Sequence, residues 1–190
     1  ACLGEEERAP DEDEDMTSNR LSSVLMQCLV ELCTVKNSKD ATAKKKISLS
    51  SSEAEAIAKS LGKKICHMVL SRFLERAKLQ QYEMEEDEDI MDAPDVTMLC
   101  AMAQHGEALM TLRSIGGLHA LSLVAAEGEV SAIVALKKAC DKDANVLLEG
   151  DTYASIMNLL SDDNSPWRSD DATRRQIEGA AFELLARLCS

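Results

Sequence analysis

The feature that most constrains this chain is a run of short apolar helices cut at glycines, GEALMTLRSIGGLHALSLVAAEGEVSAIVALKKACDKDANVLLEG, from Gly106 to Gly150. Leu109 and Leu112 sit three positions apart on one face of a first helix over Ala108 to Ile115, and Gly116-Gly117 ends it. Glycine reaches left-handed backbone angles without a Cβ penalty, so it commonly closes helices. Leu118, Leu121, Val124 and Ala125 form the next helical face, which breaks at Gly128. Val130, Ile133, Val134 and Leu136 lead a third helix that ends near Cys140.

The order then starts again. Val146, Leu147 and Leu148 lie in a short helix from Ala144 to Glu149, closed by Gly150. Tyr153, Ile156, Met157, Leu159 and Leu160 form the second face. After the polar insert Ser161 to Asp171, the stripe Ile177, Ala180, Ala181, Leu184, Leu185 and Leu188 forms the third. Gly116 and Gly150 are 34 positions apart, and Leu121 and Ile156 are 35 apart. Self-similarity at this period predicts stacked helical units.

The order short helix, glycine, helix, tight turn, longer helix resembles the armadillo repeat. The residues that carry the resemblance are Leu112 to Leu121 in the first unit, Val146 to Gly150 with Ala154 to Leu160 in the second, and Ala180 to Cys189 as a third helix. It covers about Asp95 to Ser190. The first unit is shorter than the usual repeat of about 40–47 residues, and the second carries the long insert. The related HEAT repeat, or a non-repeating helical bundle, produces the same pattern. The resemblance implies an all-α fold: a short armadillo-like α-solenoid, a right-handed superhelix of stacked helices, preceded by two longer helices. It also implies a groove lined by the third helices. Their stripes outside the core would be Ser131, Ala135 and Lys138, then Arg174, Arg175, Glu178 and Phe182. Importin-like members of the family read basic peptides with Trp and Asn on these helices. Neither stands at those positions here, so an acidic or amphipathic peptide is the expected ligand.

Composition agrees with helices. Hydrophobic residues make up 45% of the chain and aromatic residues only 3%, so the core must come from Leu, Ala, Met, Val and Ile. No Asn-Gly or Asp-Gly hairpin and no long β-branched alternation appears. A net charge of −13 repels phosphate backbones and anionic membranes, so neither nucleic acid nor membrane is an expected partner. Seven cysteines, mostly on apolar helical faces and with no Cys-x-x-Cys, read as free thiols in a reducing compartment, cytosol or nucleus. The opening residues are acidic and lack the apolar run of a secretory leader.

Residues 1–16 read as a disordered acidic tail. Asp11, Asp13 and Asp15 begin a calcium-loop spacing, but Met16 and Ser22 occupy the positions that need Gly and Glu. Residues 17–84 form a helical segment with a polar linker at 37–52. Its first helix carries Leu21, Val24, Leu25, Cys28, Leu29, Leu32 and Cys33, like the last helix of a preceding unit. The linker's Lys44-Lys45-Lys46 triplet reads as a solvated charge run before it reads as a nuclear import signal. Ser50-x-x-Glu53 and Ser52-x-x-Glu55 both fit a capping box, with Ser50 and Ser52 also candidate phosphorylation sites. A long helix follows from about Glu53 to Glu83, burying Ile57, Ala58, Leu61, Ile65, Met68, Val69 and Leu74. Gly62 marks a bend or a close helix contact. Residues 85–95 form an acidic loop, with Asp95 expected to cap the next helix, and 96–190 form the armadillo-like region.

The sequence holds no phosphate-binding glycine loop, no nucleophile elbow and no metal-ligand spacing, and it suggests no obvious orienting partners for His67, His105 and His119. Catalysis, cofactors and bound metals are therefore not expected. The insert holds the single Trp167, a candidate anchor for a partner, and Ser165-Pro166, a candidate phosphorylation site. A non-catalytic scaffold or adaptor that binds a protein or peptide is the leading expectation. The alternatives are a structural fragment of a larger helical-repeat protein, a co-chaperone-type factor and, last, an enzyme of unfamiliar type.

Overall fold

A computed structural model describes residues 24–33, 47–81, 90–143, 145, 152–162 and 166–187. The acidic tail, the lysine triplet, most of the second acidic run, the helix expected over 144–149 (apart from Asn145), Ser165 and Leu188 lie outside the described residues. Among the described residues every regular element is helical: α1 (Val24–Cys33), α2 (Ser51–Gln81), α3 (Pro94–Ala103), α4 (Gly106–Ser114), α5 (Gly117–Ala126), α6 (Val130–Lys142), α7 (Thr152–Ser161) and α8 (Asp171–Ala186). Short 3-10 turns stand before α3 at Ile90–Asp92 and before α8 at Pro166–Ser169.

Helix α2 starts where its capping box places it. Ser50 N–H donates to Glu53 Oε2 at 2.8 Å and Glu53 N–H donates to Ser50 Oγ at 3.3 Å, so two free N–H groups are satisfied reciprocally. The Ser50 hydroxyl, which donates to Glu53 Oε2 at 2.6 Å, and after it the Ser50 N–H hold the Glu53 carboxyl below its ordinary range. The helix buries Ala54, Ala58, Ile65, Cys66 and Val69. Ala54, Ala58 and Gly62 recur every four residues, a small-residue row that lets α4 approach closely. A Cβ on Gly62 would lie 3.1 Å from Ile115 Cδ1 and 3.5 Å from Leu112 Cδ2. Gly62 is thus a close contact. Leu61 and Leu74, expected in the core, are exposed because they fall at the edges of this narrower stripe.

Helix α3 is wrapped by α2, α4, α5 and α6, and buries Val96, Met98, Leu99, Cys100, Met102 and Ala103. Its start corrects the expected capping. Ala93 holds the N-cap position and Pro94 the first turn, where a missing N–H is harmless. Asp95 is fully buried instead, and Arg72 Nε of α2 donates to both its carboxylate oxygens at 3.0 Å. Residue 95 therefore lies inside a packed helix.

Helices α4 and α5 meet at 109°. Gly116, at φ 80°, makes that corner. A second left-handed glycine, Gly128 at φ 91°, turns α5 into α6. Helix α5 packs on α7, and α6 packs on both α5 and α8. Ser122 and Thr152, both fully buried, place their hydroxyls 2.8 Å apart across the α5–α7 contact. The α6–α8 contact carries Lys137 paired with Glu183 and Asp141 with Arg187 at 2.9 Å. Both pairs span 46 positions, so the two helices run parallel and in register.

Helix α1 departs from its expected stripe. Met26 and Val30 are buried, with Leu29 and Cys33 half-buried, whereas Val24, Leu25, Cys28 and Leu32 face outward. Tyr153, Met157 and Phe182 are exposed on α7 and α8. Among the described residues no single helix is long and apolar enough to cross a membrane, although α4 and α5 together match in length and composition as a bent pair.

Candidate functional site

The expected groove residues divide into three groups. On α6, Lys138 is exposed and its Nζ donates to the Gln104 backbone oxygen at 3.1 Å and to Gln104 Oε1 at 3.2 Å. Gln104 Nε2 in turn donates to the Ser131 backbone oxygen at 2.8 Å, which joins the end of α3 to α6. Ser131 is half-buried and donates to Glu129 Oε1 through Oγ at 2.7 Å and through its N–H at 3.3 Å, the N–H bond being the cap of α6. These three residues do lie together. Ala135 is a correction: it is fully buried, because α6 is packed by α3, α4, α5 and α8 and has only a narrow outward face.

On α8, Arg175 and Phe182 are exposed, and Phe182 stands 59% accessible. Arg174 pairs with Asp171 at 2.7 Å, one turn earlier, and Glu178 lies 4.0 Å from Arg168. Asp170 caps this helix by accepting from Thr173 N–H at 2.9 Å, and the bonds to Thr173 hold its carboxyl below the ordinary range.

Trp167 is the second correction. An anchor for a partner must be reachable, and Trp167 is only 8% accessible. Its ring and Ile177 both converge on Gly128 at the α5–α6 corner. Arg168 stacks over the ring at 4.7 Å and donates to the carbonyl oxygens of Leu160 at 2.5 Å and Asp162 at 2.7 Å. A cation at the end of α7 also opposes the negative pole of its dipole. The insert therefore works inward, tying α7, α8 and the α5–α6 corner together.

Of the candidate phosphorylation sites, Ser50 and Ser52 are exposed, and their hydroxyl oxygens are 3.3 Å apart. Ser50 Oγ donates to Glu53 at 2.6 Å, so a phosphate there would gain from the helix N-terminus while opposing that carboxylate.

A concavity that no sequence pattern announces lies along α3. It is a cleft of about 600 Å³ between α1, the turn before α3, α3 itself and the start of α6. Val30, Ile47, Met91, Val96, Cys100 and Ala101 supply its apolar lining. Among the described residues, Asp92 and Glu129 are its charged lining groups. No periodicity could reveal it, since its walls come from four separate segments.

Five described cysteines are free. Burial pushes the Cys66 and Cys140 thiols up to about 11, and that of Cys100 to about 12. Thiolate is the nucleophile, so these three are poor ones at neutral pH. Among the described residues no group of three or more His, Cys, Asp and Glu could hold a metal ion. Brief alkylation of the folded chain at about pH 8 should mark Cys28, which is exposed, and spare Cys66, Cys100 and Cys140 until denaturant is added. Peptide mapping by mass spectrometry reads the outcome, and rapid labelling of Cys100 in the folded chain would contradict the burial of α3.

No protein-family model, curated protein or solved structure matches this chain.

Proposed function

We propose that this chain is a non-catalytic protein-interaction module, a short armadillo-like array whose third helices present a strip to a peptide or protein. The observation that carries the reading is the register of α6 on α8. Lys137 with Glu183 and Asp141 with Arg187 repeat one 46-position offset, and α5 packs on α7 beside them. Successive units that stack equivalent helices in parallel behave this way, and such stacking creates a surface larger than a compact domain of equal length. Surface ion pairs contribute at most about 1 kcal/mol each, so their weight here lies in register. The strip comprises Ser131 and Lys138 on α6 with Arg175, Glu178 and Phe182 on α8. Free, buried thiols support a reducing compartment, cytosol or nucleus.

Panning a random peptide library against the intact chain tests this. Lys138→Glu/Arg175→Glu/Phe182→Ser provides the comparison. Peptides retained by the intact chain and lost by the variant are the expected result. Equal retention by both would remove the strip from the reading.

A second reading has its own observation. Val24, Leu25 and Leu32 on α1, and Tyr153, Met157 and Phe182 on α7 and α8, leave apolar side chains exposed on the first and last described helices. Internal units of a longer helical array would cover such faces with neighbours. Concentration-dependent self-association in sedimentation velocity favours that reading, and a monomer at all concentrations favours a self-sufficient module.

A further inference from the structure

We propose that the cleft beneath α1 is a second docking site, for an extended apolar segment flanked by two cationic side chains about four positions apart. The proposal rests on the interaction-module reading only in taking a peptide as the occupant, and it does not involve α8.

Three observations carry it. The first is shape and chemistry. A concavity of about 600 Å³ with an apolar floor and few polar groups is the form that binding clefts take. Its floor is α3, through Val96, Cys100 and Ala101, with Val30 of α1 and Met91 forming walls.

The second is charge. Asp92 and Glu129 line the cleft, and among the described residues neither has a cationic partner. Three carboxylates elsewhere in the fold are paired: Glu127 with Arg76 at 3.0 Å, Asp143 with Arg113 at 2.7 Å and the buried Asp95 with Arg72 at 3.0 Å. Glu129 uses Oε1 to cap α6 through Ser131 N–H and Oγ, which fixes its carboxylate in place without neutralising it. One held carboxylate, Glu129, and an exposed one, Asp92, beside an apolar floor favour a cationic, apolar ligand and repel an acidic one.

The third is spacing. Asp92 lies just ahead of Pro94, at the start of α3. Glu129 belongs to the other end, where Ser131 accepts from Gln104, the C-cap of α3. At about 1.5 Å of rise per residue, the two carboxylates stand on the order of 10–15 Å apart along that helix. An extended chain rises about 3.3 Å per residue, so cations four positions apart span about 13 Å and point to the same side. The residue midway between them also faces that side and would meet Ala101.

The probe is a fluorescein-labelled peptide, Gly-Ser-Arg-Val-Leu-Val-Arg-Ser-Gly, titrated with the full chain in fluorescence anisotropy. Saturable binding is expected. Asp92→Lys, on an exposed turn, should weaken it about tenfold. Ala101→Trp should abolish it by filling the floor, with circular dichroism checking that this variant folds; if it does not fold, Asp92→Lys decides. Exchanging both arginines of the peptide for glutamate should also weaken binding about tenfold. Equal binding of the glutamate peptide overturns the cationic preference. Binding that survives both substitutions in the chain overturns the cleft as the site. Absence of saturation up to about 1 mM overturns the proposal as a whole. The cleft and the strip share Ser131, but Lys138, Arg175 and Phe182, the residues changed in the panning variant, do not line the cleft, so the two sites are judged separately.

Discussion

Replacing Arg72 with methionine is expected to destabilise the fold by about 3–5 kcal/mol, because it strands a fully buried carboxylate. Asp95 has a side chain only 1% accessible, and Arg72 holds both of its oxygens. Without the guanidinium, α3 must either keep an uncompensated charge in its first turn or lift away from α2. The reverse substitution is milder. Arg72 is 26% accessible, so with Asp95→Asn the guanidinium can turn to water, and about 1–2 kcal/mol should be lost. Arg72→Met/Asp95→Leu removes both charges and should recover part of the single-variant loss, since two apolar groups need no hydrogen-bond partners. Urea unfolding of the unaltered chain and the three variants measures these losses. Equal losses from Arg72→Met and Asp95→Asn would show that the buried carboxylate is not what sets the cost.

Trp167→Ala should lose a comparable amount, about 3–5 kcal/mol, by emptying the space where the insert meets the α5–α6 corner. Trp167→Phe should lose far less. The indole Nε1 is buried and has no hydrogen-bond partner among the described residues. An unmet donor costs about 1–3 kcal/mol, and its removal offsets part of the ring area lost with it. Gly128→Ala gives an independent view of the same joint. It introduces a side chain at φ 91°, with its Cβ 2.9 Å from Trp167 Cδ1. Combined with Trp167→Ala, it should cost less than the sum of the two singles, because the clash then has no partner. Thermal unfolding by circular dichroism resolves these differences. A Phe variant as damaged as the Ala variant would mean that the indole nitrogen contributes, and that a partner for it exists.

The helices themselves were legible because local rules govern them. The corners at Gly116 and Gly128, the capping box at Ser50 and the faces of α4, α5 and α6 lie close to where spacing and turn chemistry put them. Failures came where a neighbour remote in sequence decides. Ala135 looks like a surface position beside Lys138, yet α6 is crowded on several sides and only a small residue fits there. Asp95 carries every local mark of a cap, and Arg72, 23 positions earlier, takes it instead. Trp167 lies in a polar stretch that suggests exposure, while Gly128 leaves the space that receives its ring. The cleft was the least legible feature, being made of residues from four segments that share no pattern.

The Ser122–Thr152 pair has a further consequence. Ser122 donates its hydroxyl to the Leu118 carbonyl oxygen at 2.8 Å and so accepts from Thr152, and this buried hydroxyl contact acts as a key between neighbouring layers. A slip of α7 along α5 by one helical turn, about 5.4 Å, would keep most of the greasy contact but part the key. Hydrophobic burial, being non-directional, would tolerate many such offsets. The hydroxyl pair favours one of them, so the seam discriminates against foreign or shifted helices whose apolar faces would otherwise serve as well.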